Sequence, residues 1–318
     1  MRAIVVKSDQ SLQWQEVPEP KPKANEILLE IHATAVNRAD LMQRAGNYPP
    51  PPDWPEWLGL EAAGVVKSAP QGSPWQVGDQ VCALLGGGGY AELVALPPEL
   101  ACAMPKGLNM QEAASLPEAY ATAWLNLCIE AELQAGETVF VQAGASGLGI
   151  AAIQLAKLLG AKVVTSVGGT RKAEFVRNLG ADLIINHHEQ NIAEVLAENP
   201  VDVALDCVAG PELGACLKSL KRNGRWVIIA TLGGSVSEID MNDFFRRGAR
   251  IIGSTLRSRS NAVKGKVMAA LEKHVWPAFS DGRLKPCLHA VLPISAATEA
   301  HEILQQRQNL GKVVLKVK

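Results

Sequence analysis

Residues 139–169, VFVQAGASGLGIAAIQLAKLLGAKVVTSVGG, constrain the fold more than any other stretch of the chain. A short apolar run gives way to glycines, then to a helix-length apolar segment, then to a second apolar run. This succession is a βαβ unit, and strands joined through such a crossover lie parallel. Gly144, Gly147 and Gly149 fall between the first strand and the helix, spaced GxxGxG rather than GxGxxG. Without Cβ atoms the backbone there can approach a diphosphate, and the helix start adds N–H groups that have no intrahelical acceptor. The competing reading is a tight turn packed on a neighbouring helix. The strand before, the helix after and the second strand one unit later favour a dinucleotide site. Ser146 is placed either to cap the helix or to bond a phosphate.

The end of the second strand distinguishes the cofactors. A carboxylate commonly stands there, about 20 residues after the glycines, to accept from the ribose hydroxyls of NAD. Here the chain reads VGGTRK, with no acid before Glu174. Gly168 and Gly169 leave space, and Arg171 and Lys172 supply positive charge that attracts a 2′-phosphate. Basic side chains at a helix start oppose its dipole, so a merely solvated face is the weaker explanation. NADPH is the expected cofactor.

The alternation continues through ADLIIN, VDVALDCV, GRWVIIAT and ARIIGSTL, with AAIQLAKLLG, RKAEFVRNLG and PELGACLKSLKRNG the clearest intervening helices. Strands and helices in this order predict a parallel sheet covered on both faces. Residues before about 120 differ. ILLEIHATAV alternates with a period of two, and EAAGVV, QVCALL and YAELVAL are short punctuated runs, which together suggest an all-β, barrel-like unit. NYPPPPDWPEW is a stiff loop, because proline fixes φ and removes ladder donors. The glycines at 86–89 form either a flexible turn or backbone passing close to a bound group. MQEAASLPEAYATAWLNLCIEAEL reads as helical with Pro117 a kink or boundary, and a long helix is expected over 261–279. The strand GKVVLKV has no partner in the α/β unit and is expected to return to the first domain.

With 31 basic and 32 acidic residues and a net charge of −1, nothing points to nucleic acid or an anionic membrane. No apolar run reaches the roughly 18 residues of a bilayer span, and MRAIVVKSDQ turns polar too soon for a secretory signal. Six dispersed cysteines read as buried thiols in a reducing, cytoplasmic compartment.

Several motifs carry a family pattern: VNRAD (36–40), NYPPPP (47–52), LGLEAAGVV (58–66), GDQV (78–81), GGYAE (88–92), LPEAYATAW (116–124), GASGLG (144–149), LGAD (179–182), IIGSTLRSR (251–259) and NLGKVVL (309–315). Through them the chain resembles, nearly end to end, the zinc-independent NADPH:quinone oxidoreductases of the medium-chain dehydrogenase/reductase superfamily. The resemblance implies an α/β protein with a GroES-like β-barrel domain, residues 1–121 completed by 262–318. A Rossmann-type, doubly wound domain with a six-stranded parallel sheet would occupy 122–261. It further implies NADPH, a quinone or other activated carbonyl substrate, and a homodimer paired through the edge strand at 251–255. It sets Asn37, Asp40, Tyr48 and Thr122 by the nicotinamide and substrate, and Gly144, Ala145, Ser146, Gly147, Leu148 and Gly149 at the diphosphate. Lys172 falls near the 2′-phosphate, beside Gly168 and Arg171. Leu232, Gly233, Gly234, Leu256, Arg257 and Asn309 fall along the cofactor. Where relatives carry Asn-Tyr after the third strand, this chain has Asn186-His187, so an imidazole replaces a tyrosine at the adenosine end and adds charge when protonated.

Zinc-dependent members of the superfamily need a cysteine where Asn37 stands and a His-Glu pair where this chain has Leu60-Glu61, so no metal is expected. An electron-poor quinone accepts hydride with modest help, and the protein's part is proximity and orientation. Tyr48 has first claim as donor to the developing oxyanion and Asn37 second, with Asp40 holding their loop. The plainer roles are packing on the proline run for Tyr48 and satisfaction of nearby backbone for Asn37. Trp54 and Trp57 either wall the substrate entrance or cover the β core. His274 and His289 read as surface or packing residues. Reduction of an enone or enoyl C=C bond with the same fold and cofactor stays open, as does a non-enzymatic NADPH-binding role.

Overall fold

The structure, a computed structural model, describes residues 1–318. Its strands are β1 (Arg2–Val6), β2 (Leu12–Glu16), β3 (Ile27–Ala35), β4 (Glu61–Ser68), β5 (Gln80–Leu84), β6 (Leu93–Leu96), β7 (Ala101–Ala103), β8 (Thr138–Val141), β9 (Lys162–Val167), β10 (Leu183–Asn186), β11 (Val201–Asp206), β12 (Leu220–Ile228), β13 (Arg250–Gly253), β14 (Leu288–Pro293) and β15 (Lys312–Lys316). The helices are α1 (Arg38–Arg44), α2 (Met110–Ala113), α3 (Pro117–Trp124), α4 (Gly147–Leu158), α5 (Thr170–Asn178), α6 (Ile192–Glu198), α7 (Leu213–Leu217), α8 (Met241–Arg247), α9 (Asn261–His274), α10 (Trp276–Ser280) and α11 (Ala297–Gln305). No helix is long and apolar enough to cross a membrane. Two compact units are formed, one of Met1–Ala121 with Arg257–Lys318 and one of Thr122–Leu256.

In the second unit, six strands lie parallel in the order β10-β9-β8-β11-β12-β13. They are the six apolar runs read from the sequence, with α4 to α8 between them. Strand order reverses between β8 and β11, and ligands of such sheets bind beyond the carboxyl ends at that point. Phe140, Val164, Ile185, Leu196, Val201 and Trp226 pack in its core. The Trp226 indole N–H donates to one oxygen of buried Asp206 at 2.9 Å, and the other oxygen accepts from the Val208 and Ala209 N–H groups. The loop leaving β11 is thereby pinned.

The first unit contains a seven-stranded sheet, β14-β15-β3-β4-β5-β7, with β6 also on β3, and a separate β1-β2 pair. β15 does return to this unit and runs antiparallel to β3, with Val314 opposite Ala35. β14, not evident from the sequence, pairs with β15 in parallel. Alternate residues Ile27, Leu29 and Ile31 of β3 are buried in one core with Val66, Val81 and Leu96. Another core gathers Leu58, Tyr90, Val313 and Leu315.

Local departures have local causes. The four glycines at 86–89 are buried rather than a flexible turn: a Cβ on Gly86 would stand 2.6 Å from the Trp54 ring, and one on Gly89 2.9 Å from the Glu61 carbonyl oxygen. What comes close is the protein's own chain. Trp54 packs on the β core. The helix expected over 261–279 breaks at Val275, because Pro277 lacks an N–H and would clash with the carbonyl one turn back. Pro117 opens α3. Of the six free cysteines, Cys82, Cys102 and Cys216 are buried, but Cys128, Cys207 and Cys287 are only partly so.

Candidate functional site

In the second unit the candidate cofactor residues lie where the parallel strands end. β8 leads through Ala143, held at φ +57°, into Gly144 and then α4. A Cβ on Gly144 would strike the Thr165 hydroxyl, and one on Gly149 the Ala143 carbonyl, so the turn is pressed against β9 and the helix against the turn. Ser146 is the N-cap of α4, its hydroxyl oxygen accepting from the Gly149 N–H at 3.0 Å. Gly147 and Leu148 open the helix, where backbone N–H groups lack intrahelical acceptors, with Ala145 immediately before. After β9, Gly169 adopts φ +90° and donates its N–H to Asn186 at 2.9 Å. A Cβ on Gly168 would meet His188 at 2.9 Å and His187 at 3.2 Å, so the two imidazoles border the glycine turn. Their rings stack edge to face at 4.8 Å, a neighbour for His187 that sequence reasoning missed. Arg171 is exposed and Lys172 half-buried in the first turn of α5. The loop after β12 runs through exposed Leu232 to Gly234; the Gly233 N–H donates to the Val208 carbonyl at 2.7 Å. A small glycine turn, helix-start N–H groups and basic side chains fit a phosphorylated dinucleotide.

Thr122 is half-buried in α3, and its carbonyl accepts from the Asn126 amide at 2.7 Å. The helix then widens to a π-helix over Leu125–Glu130, a distortion frequent at functional sites.

In the first unit four element ends converge. Asn37 caps α1 directly after β3, Glu61 begins β4, Lys312 begins β15, and Glu118 lies in the first turn of α3. The Lys312 ammonium donates to Glu61 Oε1 at 2.6 Å, Asn37 Oδ1 at 2.6 Å and the Val36 carbonyl at 3.2 Å. Asn37 donates its amide to Glu61 at 2.9 Å and to the Ala35 carbonyl at 3.2 Å, so both amide hydrogens are used within the protein. The other Glu61 oxygen accepts the Glu118 backbone N–H at 2.9 Å. Glu61 and Asp40 have no solvent exposure. Asp40 accepts from the N–H groups of Asn37 (2.7 Å) and Gly59 (3.0 Å) and from the Tyr90 hydroxyl (3.3 Å), and so fixes the start of α1 against the segment before β4. Burial pushes its carboxyl up to about 6. Burial, followed by the neighbouring Glu61, pushes Glu118 up to about 8. Burial depresses His301 to about 3, so the imidazole beside Tyr90 is neutral.

Arg257 reaches the same unit. Its guanidinium donates twice to the Gly86 carbonyl (2.8 and 3.0 Å), to the Tyr48 carbonyl (3.1 Å) and to Gln43 (2.6 Å), and lies over the Tyr48 ring at 4.9 Å. Tyr48 is half-buried, and desolvation raises its hydroxyl, opposed by Arg257, so the group is a protonated donor at neutral pH. Asn309 turns its amide to the Gly311 carbonyl at 2.8 Å, one residue before Lys312. Buried Leu256 closes the other unit. Lys312 and Glu118 were not singled out from sequence. The GK of NLGKVVL was the only signal for the first, and the acid following Pro117 the only one for the second.

Residues 23–106 match the alcohol dehydrogenase GroES-like domain family and residues 147–273 the zinc-binding dehydrogenase family. Together with the fold, these matches define a two-domain medium-chain dehydrogenase/reductase. A quinone oxidoreductase of Sus scrofa is 32% identical over 307 residues, spanning 94% of this chain and 92% of the relative. The chain belongs to the quinone-oxidoreductase-like family of that superfamily, and is an oxidoreductase. Three solved structures are similar over their whole length. A protein described as an NAD-dependent alcohol dehydrogenase has TM-score 0.85 and 29% identity, covering 100% of both chains. A mycobacterial protein solved with NADPH has TM-score 0.86 and 27% identity, covering 100% of both. The CurK enoyl reductase has TM-score 0.84 and 27% identity, covering 100% of this chain and 99% of its own. No three His, Cys, Asp or Glu side chains gather as a metal-holding group. At the positions where zinc-dependent members carry ligands stand Asn37 and Leu60, and the Lys312 ammonium is bound to Asn37 and Glu61.

Proposed function

We propose that this NADPH-dependent oxidoreductase delivers its hydride to a quinone. The observation that carries the reading is the cation already built into the site: Lys312 sits on Asn37 and Glu61, a donor set suited to an ammonium rather than to a Lewis-acidic metal. An acceptor for such a site must be electron-poor by itself, as a conjugated quinone carbonyl is. NADPH, when bound, supplies the hydride. Gly144 to Gly149 give it a cradle and helix-start N–H groups, and Arg171 and Lys172 give positive charge at the adenosine end. Tyr48, held by Arg257, donates to the oxyanion that forms on the acceptor. Asn37, its amide hydrogens engaged by Glu61 and Ala35, orients the cluster rather than the acceptor. Asp40 fixes the loop that bears it.

The likeness to an enoyl reductase keeps a second reading in view, hydride delivery to an activated C=C bond. NADPH oxidation followed with 1,4-benzoquinone, 1,2-naphthoquinone and a panel of enones separates the two. Quinone turnover is expected, and turnover of enones alone overturns the proposal. Calorimetric titration should show NADPH binding more tightly than NADH. We further propose a homodimer through β13, the edge of the parallel sheet, next to α8 with its exposed Met241 and Phe245; a monomeric mass by light scattering would refute it.

A further inference from the structure

We infer that Glu118 is the proton donor to the reduced acceptor, poised for that task by Glu61 and Lys312. The inference rests on the hydride-transfer reading above. Three carboxyl groups gather in the first unit, and only one is available. Both Asp40 oxygens are taken by backbone N–H groups and the Tyr90 hydroxyl. Glu61 spends one oxygen on Lys312 and Asn37 and the other on the Glu118 N–H. Glu118 takes part in this network through its backbone, while no protein donor engages its half-buried carboxyl.

The charges around it come from every neighbouring element. Burial is the largest influence on its proton; Glu61 on β4 and Asp40 on α1 also hold the proton on, and Lys312 on β15 and Lys264 on α9 oppose them. Lys264 is itself buried and tied to the Arg257 carbonyl at 2.8 Å. Through Lys264, bound to the Arg257 carbonyl, the cluster adjoins the guanidinium that holds Tyr48, the group that steadies the oxyanion. The carboxyl therefore carries a proton at neutral pH beside a carboxylate already paired with an ammonium. Two acids with surroundings this different divide into a proton donor and a fixed charge.

The step balances simply. One quinone oxygen gains a hydride from NADPH, which leaves as NADP⁺, the electron pair passes through the conjugated ring, and the other oxygen of the hydroquinone monoanion is left as an oxyanion. The Glu118 O–H bond breaks and the proton moves to that oxygen. Water returns a proton to the carboxylate before the next cycle. A carboxyl near 8 is a stronger acid than a phenol near 10, so transfer to a quinol oxyanion runs downhill.

The test is kcat/KM against pH for the wild type and Glu118→Gln, with saturating NADPH and 1,4-benzoquinone. The wild type should lose activity above about pH 8. The variant should lack that limb and be slower at pH 7 by roughly 10²-fold, the usual worth of a positioned acid. NADPH titration of the variant, with unchanged affinity, shows that the site is intact. Thermal unfolding gives a readout independent of turnover. Glu118 is raised in the folded protein, so the wild type should lose stability relative to the variant as pH rises from about 4.5 to about 8. A limb that persists in Glu118→Gln, or a wild type with quinone turnover and no limb, overturns the inference. No turnover of any acceptor by the wild type sinks the functional reading itself, and an unchanged difference in melting across that window then removes the carboxyl's protonated state as well.

Discussion

Replacing Lys312 by methionine tests the central claim, that its ammonium is the counter-ion of a buried carboxylate. Methionine keeps most of the length and apolar stem but deletes the charge. Glu61, with no solvent exposure, would keep only the Asn37 amide and the Glu118 N–H as partners. Breaking a buried pair in this way costs about 3–5 kcal/mol, since the stranded ion cannot be resolvated. At roughly 2–4 °C per kcal/mol, the first unit should melt about 6–20 °C lower. Lys312→Met combined with Glu61→Gln removes both charges and should recover more than half of the loss, because a neutral pair needs no compensation. Differential scanning calorimetry of the wild type, both single variants and the double variant measures each term. A single variant within about 1 kcal/mol of wild type, or a double variant showing simple additivity, would refute the reasoning.

Two further outcomes follow from close contacts. Arg257→Lys cannot reproduce the fork that holds the Gly86 and Tyr48 carbonyls; the acceptor KM should rise roughly tenfold, the worth of a net hydrogen bond, while NADPH affinity stays unchanged. Equal loss of both would show that Arg257 acts on the fold at large. Gly144→Ala drives a methyl into the Thr165 hydroxyl and should lower stability by about 1–3 kcal/mol together with NADPH binding. Thr165→Ala alongside should restore part of the stability, and no recovery would mean that the turn's conformation rather than that contact demands glycine.

Periodicity made the second unit legible. The six apolar runs became β8 to β13 because a parallel sheet buried on both faces leaves little choice of residue. The glycine turn was readable for the same reason, since strand, turn and helix are contiguous. The charged cluster was not. Lys312 meets Asn37 across 275 residues and Glu61 across 251, and Arg257 reaches Tyr48 across 209. No local pattern encodes such pairings. α1 could have been found, for Asn37 followed by Asp40 is a capping signal ahead of a helix. The glycines at 86–89 were ambiguous because sequence shows that something comes near, never what. Here it was Trp54 and the Glu61 backbone.

The first unit is interrupted by the whole of the second, and the interruption falls between the partners of its buried ion pair. A ribosome extrudes Glu61 long before Lys312, whereas every strand of the parallel sheet emerges in one continuous length. The nascent β segment must therefore wait, its acid still wetted by water, until a later strand delivers the ammonium. Assembly order is thus written into the chain: the nucleotide-holding half is free to mature while its neighbour remains an unfinished scaffold.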